Sequence, residues 1–147
     1  EEMQAVWLVP YKAGTVTAVA YKDGREIART SHRTASKPAA VKLSADRKTI
    51  STDKREVVYI TADITDARGN FVPYADNHLT FEVTGPYKLI GVENSDIIDL
   101  SPHKVLDRKA FMGKALLILQ ATGEKGVLRV KAKSPALKSN TVTVQCD

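Results

Sequence analysis

Residues 57–66 read Val57-Val58-Tyr59-Ile60-Thr61-Ala62-Asp63-Ile64-Thr65-Asp66. In an extended chain Val58, Ile60, Ala62 and Ile64 fall on one face, and Val57, Tyr59, Thr61, Asp63 and Thr65 on the other, the period-2 pattern of a half-buried strand. Asp66-Ala67-Arg68-Gly69-Asn70 then supplies turn chemistry: Gly69 and Asn70 tolerate positive φ, and the short side chains of Asp66 and Asn70 reach nearby backbone. Beyond it Leu79, Phe81 and Val83 alternate with Thr80, Glu82 and Thr84, so a returning strand is expected, giving a hairpin from Val57 to Val83. Burying the seven inward side chains contributes on the order of 10 kcal/mol before entropy, as an upper bound.

Working outward, residues 1–36 predict three short strands. Val6–Val9 is apolar, Thr15–Tyr21 is rich in β-formers, and Lys22-Asp23-Gly24 turns the chain into Glu26–Thr30. Three strands cannot close a sandwich, so this segment is expected to be the C-terminal part of a truncated β-sandwich domain. Trp7, on the first of these strands, is expected in its core. Ser31–Pro38 is polar and ends in proline, as a linker does, which places a boundary near residue 37 and a second domain over 37–147.

In that second domain, Ala40–Ser44, Thr49–Ser51 and Tyr87–Val92 are extended, with a bulge at Gly91. Glu93–Lys109, polar and irregular, forms the longest loop. Ala110–Ala121 fits a central strand because Ala115-Leu116-Leu117-Ile118-Leu119 is apolar on both faces, with a helix as the competing assignment. Thr122–Gly126 suits a hairpin turn into Val127–Lys133, and Thr141–Gln145 closes the chain. About seven strands, turn signals between them and no convincing helix give an all-β fold, an immunoglobulin-like β-sandwich preceded by the incomplete three-stranded segment.

Charge and composition exclude several functions. The 22 Lys and Arg residues against 17 Asp and Glu give a net charge of +5. They are scattered along strand ends without interleaved aromatics, which argues for edge protection rather than nucleic-acid binding. No apolar run approaches the roughly 20 residues needed to span a bilayer, so no membrane insertion is expected. Cys146 is the only cysteine, which excludes an intrachain disulfide and a thiolate-rich metal site. His32, His78 and His103 lack metalloprotease spacing, and no Gly-x-Ser-x-Gly elbow occurs. Among many possible carboxylate pairs, Asp63 and Asp66 stand on or just after a strand and Asp96 and Asp99 lie in the long loop, but none sits in the apolar surround that would make a proton donor. Asp66, Asn70, Asp76, Asn94 and Asp96 could supply oxygens to calcium, although turn-forming Asx residues explain them equally. No residue is assigned a catalytic, cofactor-binding or metal-binding role. Tyr11, Tyr74 and Tyr87, each beside a proline or turn, are the candidates for stacking on a sugar ring.

Two stretches carry a resemblance. Trp7-Leu8-Val9-Pro10-Tyr11-Lys12-Ala13-Gly14 through Tyr21-Lys22-Asp23-Gly24, ending at Thr34-Ala35-Ser36-Lys37-Pro38, resembles the tail of the sandwich domain that follows the catalytic barrel in glycoside hydrolase family 2, many of whose members are β-galactosidases. The rest is similar to the Ig-like C-terminal domain of the same enzymes, through Asp66-Ala67-Arg68-Gly69-Asn70-Phe71-Val72-Pro73, Gly91-Val92-Glu93-Asn94-Ser95-Asp96 and Arg108-Lys109-Ala110-Phe111-Met112-Gly113. It also resembles bacterial Ig-like repeats of the intimin and invasin type. Ser36, Lys54 and Ser95 stand where the family usually has glycine.

The resemblance implies that the two catalytic glutamates lie in a (β/α)8 barrel of about 250 residues, no part of which is matched here. The chain would then be a non-catalytic accessory domain, inactive alone, cut from a larger enzyme and partnered by that enzyme's catalytic and other domains. A homodimer through the truncated N-terminal segment is the further partner expected, and export to the periplasm or outside the cell is the implied location. An adhesin-type cell-surface repeat or a carbohydrate-binding module is the alternative.

Overall fold

The structure is a computed structural model that describes residues 4–147, and every regular element among them is a strand. The chain divides into two compact units, the first ending at Thr34 and the second running from Ala35 to Asp147.

The first unit is a two-stranded antiparallel ribbon, β1 (Thr15–Lys22) and β2 (Arg25–Arg33). Asp23 and Gly24 join them with φ of 50° and 76°, the two positive values that match a tight hairpin to strand twist. The strand expected over Val6–Val9 does not form. Trp7, expected in a core, lines a shallow hollow with Ala18, Ala20 and Ala28 of the ribbon and remains 69% exposed. The reason is the number of layers: one ribbon has no second sheet within its unit to cover an aromatic ring.

The second unit is a sandwich of two sheets. One holds β3 (Pro38–Ala45), β5 (Val57–Asp66), β9 (Lys114–Gln120) and β7 (Lys88–Glu93), in that spatial order. The other holds β4 (Thr49–Ile50), β11 (Asn140–Cys146), β10 (Gly126–Lys133), β6 (His78–Thr84) and β8 (Asp107–Lys109), again in spatial order. Alternation places the core as the sequence predicts. Val58, Ile60, Ala62 and Ile64 of β5 are fully buried against Leu79 and Phe81 of β6 and Leu128, Val130 and Ala132 of β10. β9 lies between β5 and β7, so its run of five apolar residues belongs to a central strand and not to a helix. The bulge at Gly91 appears as a register shift between Leu89 and Gly91.

The expected hairpins are corrected. β5 and β6 belong to opposite sheets, as do β9 and β10. The chain does reverse at Asp66–Asn70, where Thr65 bridges Phe71 and the Asp66 N–H donates to Asn70 O at 2.9 Å. It then continues through buried Val72 and Ala75 across the end of the core to the other sheet, a gap of about 10 Å. The long loop also contains a strand, β8, missed because it is only three residues long.

One turn laces this crossover together. Met112 and Gly113 have φ of 47° and 79°, Gly113 O accepts from Ile64 N–H, and Gly113 N–H donates to Ala75 O, both at 2.8 Å. A Cβ at Gly113 would lie 2.3 Å from Val72 O, so both the backbone angle and the close approach require glycine.

Candidate functional site

The Asp66 turn is the first polar cluster. Asp66 is buried, and its Oδ1 accepts from the backbone N–H groups of Arg68 and Asn70, both at 2.9 Å. Its Oδ2 accepts from Asn70 Nδ2 at 3.0 Å, from Ser36 N–H at 3.0 Å and from the Ser36 hydroxyl at 3.3 Å. The Asn70 side chain, followed by the Ser36 N–H, holds this carboxyl well below its ordinary value, because hydrogen bonds to the charged form favour it. Ser36 thus adds a hydroxyl donor that ties the start of the unit to the turn. Tyr74 completes the tie by donating its hydroxyl to Ser36 O at 3.1 Å.

The second cluster was not visible as one in the sequence. Arg108, on β8, is 2% exposed. Its Nη1 donates to Asp99 Oδ2 at 3.0 Å and to Ser101 O at 3.3 Å. Its Nη2 donates to Val92 O at 2.7 Å and to Pro102 O at 2.8 Å, while its buried Nε has no partner. Asn94 Nδ2 donates to Asp99 Oδ2 at 2.8 Å and to Lys109 O at 2.9 Å, and Asn94 Oδ1 accepts from Asp96 N–H at 2.9 Å. The Ser101 hydroxyl and N–H, then Arg108, hold the Asp99 carboxyl well below its ordinary value. A fork of donors buried among carbonyls fixes the loop's path, which is the use to which a planar guanidinium is best suited.

Around this loop Asp76, Asn94, Asp96, Asp99, Ser101 and Lys109 line an open surface pocket. Its chemistry is that of paired charges. Asp76 Oδ2 lies 2.8 Å from Lys109 Nζ, and this hydrogen bond and the ammonium charge lower the Asp76 pKa while raising that of Lys109. A hydrogen bond from Lys133 likewise lowers the pKa of Glu82. Glycosidic proton donation needs the opposite shift, upward by desolvation or a neighbouring anion. The carboxyls of Asp66, Asp76, Glu82 and Asp99 are all shifted downward instead.

The calcium candidates fall into two places. Asp66 spends its carboxylate oxygens on the turn, where Asn70 is a donor to them, and Asp76, Asn94 and Asp96 line the pocket beside Lys109. Among the described residues no three His, Cys, Asp or Glu side chains are grouped to hold a metal ion. The tyrosines are also dispersed. Tyr11 belongs to the first unit; Tyr74 follows β5 with its ring exposed; Tyr87, expected in an exposed turn, precedes β7 and is half-buried against the core. β7 runs parallel to β5, each being antiparallel to β9, so Tyr74 and Tyr87 sit at opposite ends of the sandwich. His78 pairs with Asp107 at 3.1 Å and His103 with Glu93 at 2.6 Å, both on the surface.

The comparison with known families bears on these clusters. The family described as "Glycoside hydrolase family 2 C-terminal domain 5" matches residues 41–143, which takes in the buried core except Val144 and Cys146, the Asp66 turn and the Arg108 loop. The chain belongs to glycoside hydrolase family 2. Residues 1–28 match a domain of unknown function, DUF4982. A β-galactosidase from Bacteroides ovatus is 31% identical over all 147 residues, which amount to 17% of that protein. The crystal structure of a β-glycosidase from Bacteroides vulgatus superposes with a TM-score of 0.87 at 33% identity, over 95% of this chain and 18% of that one. The D00-D0 domain of intimin superposes with a TM-score of 0.54 at 19% identity, a likeness of fold that accords with the Ig-like assignment. The chain therefore spans under a fifth of the length of the family 2 relatives it matches.

Proposed function

We propose that this chain is a non-catalytic structural module of a family 2 glycosidase, a β-galactosidase, in which it packs against and supports the catalytic and neighbouring domains. The observation that carries the reading is the match of residues 41–143 to a C-terminal domain family of these enzymes, together with polar clusters whose groups are spent on their own backbone. The Asp66, Asp76, Glu82 and Asp99 carboxyls are shifted downward by their partners, the opposite of the upward shift a glycosidic proton donor needs.

The test is an assay of the purified chain and of the full-length enzyme on a chromogenic galactoside. Turnover by the full-length enzyme and none by the chain is the expected result; turnover by the chain alone would overturn it. Removing the module from the full-length enzyme should lower its melting temperature with kcat per folded molecule largely retained.

In this reading the parent enzyme is exported, and the isolated chain self-associates through the ribbon, whose Val16 and Ile27 are exposed. Light scattering of the isolated chain checks the last point, with a monomer counting against it. A second reading, an adhesin spacer, draws on the likeness to intimin. Tandem copies of residues 40–145 in the parent sequence would favour it over a barrel with two glutamates. Tyr11 and Tyr74 are both exposed and are the tyrosines free to stack on a sugar; a flat fluorescence titration with galactose-containing oligosaccharides would remove that role.

A further inference from the structure

The loop held by Arg108 spends its Asx side chains on itself. Asn94, buried, and Asp99, half-buried, bond each other, Asp96 Oδ1 accepts from Ile98 N–H at 3.2 Å, and Asp99 Oδ1 accepts from Ser101 N–H at 2.8 Å, while Ser95 and Ser101 stay exposed. Its aliphatic side chains turn outward. Ile97 is 98% exposed, Ile98 79% and Leu100 96%. Surface loops normally do the reverse, and three large aliphatics within four residues form a patch rather than scattered exposure.

We infer that Ile97, Ile98 and Leu100 are a pre-shaped docking knob that seats in an apolar hollow on another domain of the same polypeptide. This rests on the reading of the chain as a module of a larger family 2 enzyme. Burying a charged guanidinium gives little net stability compared with a well-packed apolar side chain; what it provides here is a single loop path, fixed through Val92 O, Ser101 O and Pro102 O. A loop already ordered loses little entropy on docking.

The size of the knob selects its occupant. Three aliphatic side chains at about 60–120 Å² each present on the order of 300 Å², so a complementary surface would bring the total buried to roughly 600 Å². That is well below the roughly 1,200 Å² at which stable interfaces between free molecules begin, but it reaches the low end of the ~600–1,500 Å² found between domains of one chain. A tethered partner at an effective concentration in the millimolar range needs no more. The relatives, over five times the length of this chain, have the additional polypeptide to supply it.

The experiment places a benzophenone amino acid at Leu100 of the full-length enzyme, irradiates it and maps the cross-links by mass spectrometry. Cross-links within one polypeptide to residues outside this chain are expected. Cross-links between copies, or none, would overturn the inference. In parallel, the full-length triple variant Ile97→Ser, Ile98→Ser, Leu100→Ser should exchange its amide hydrogens over residues 95–101 about tenfold faster than the unsubstituted enzyme; equal rates would overturn it. Hydrolysis of the galactoside by the unsubstituted enzyme reports separately on the glycosidase reading. An active enzyme without intramolecular cross-links defeats the knob alone, and an inactive one that cross-links internally defeats the glycosidase reading alone.

Discussion

The Asp66 turn and the Arg108 loop solve the same problem with charges of opposite sign. Each places an ionic side chain out of water and spends it on backbone groups that no strand satisfies. They differ in reach. Three of the Asp66 donors belong to Arg68 and Asn70, within four residues, and only Ser36 is distant. Arg108 gathers Val92, Asp99, Ser101 and Pro102, which come from the end of β7 and from the long loop. A carboxylate, which only accepts, suits a turn rich in N–H groups. A guanidinium, which only donates, suits a loop rich in inward carbonyls. The first device shapes a reversal, and the second fixes a loop that has no ladder of its own.

If this contrast is right, breaking the longer-range lock costs more. Arg108→Met should destabilise the second unit by about 3–5 kcal/mol, because it strips buried carbonyls of their donor and Asp99 of its cation. Arg108→Lys should recover less than half of that, since one ammonium cannot reproduce a fork of donors. Urea denaturation followed by fluorescence or far-UV circular dichroism gives both values. A methionine variant within 1 kcal/mol of the parent would show that the loop is held by its apolar surroundings instead.

A smaller effect follows from pH. Asp66 and Asp99 both have folded-state pKa values below their ordinary 3.8. A depressed carboxylate contributes stability that is fully present above its unfolded value and is lost as pH falls through the folded one. The second unit should therefore hold its stability down to about pH 4 and lose it progressively below. Asp66→Asn and Asp99→Asn should each be less stable at neutral pH and should each flatten the acid branch. A parallel loss of stability with acid in the Asp66→Asn variant would mean that this turn carries none of the pH dependence.

Much of this architecture was legible because alternation reports burial directly. Val58, Ile60, Ala62 and Ile64 are inward as the period-2 pattern requires, and Asp66–Asn70 turns as its residue types require. Alternation does not report the partner strand, however, so β5 and β6 read as a hairpin although Val72–Asn77 carries the chain to the opposite sheet. Trp7 was misplaced for a related reason: an apolar run says that a side chain is suited to a core, not that its unit contains one. Arg108 was hidden in Asp107-Arg108-Lys109, a run of charges that reads as solvated. The signal that could have found it is the same alternation, since Leu106, Arg108 and Ala110 share one face and Leu106 and Ala110 both pack toward the core. An arginine at an inward position between two apolar residues is itself the mark of a buried donor.

The smallest expected effect sharpens the comparison from within the Arg108 loop. Ser95 follows Asn94 with φ of 68°, in the left-handed region where a Cβ is crowded by backbone and glycine is not. The strain persists because Asn94 Oδ1 on one side and the Asp96 turn on the other fix both neighbours. Ser95→Gly should relieve it and stabilise the unit by about 0.5–1 kcal/mol, less the extra freedom glycine gains in the unfolded chain. Paired with Arg108→Met, the same substitution should lose most of its benefit, because a loop no longer held in one path can leave the left-handed conformation unaided. A double-mutant cycle measures that coupling directly. Full additivity would mean that the Ser95 strain is set by its own turn and not by the arginine that anchors the loop.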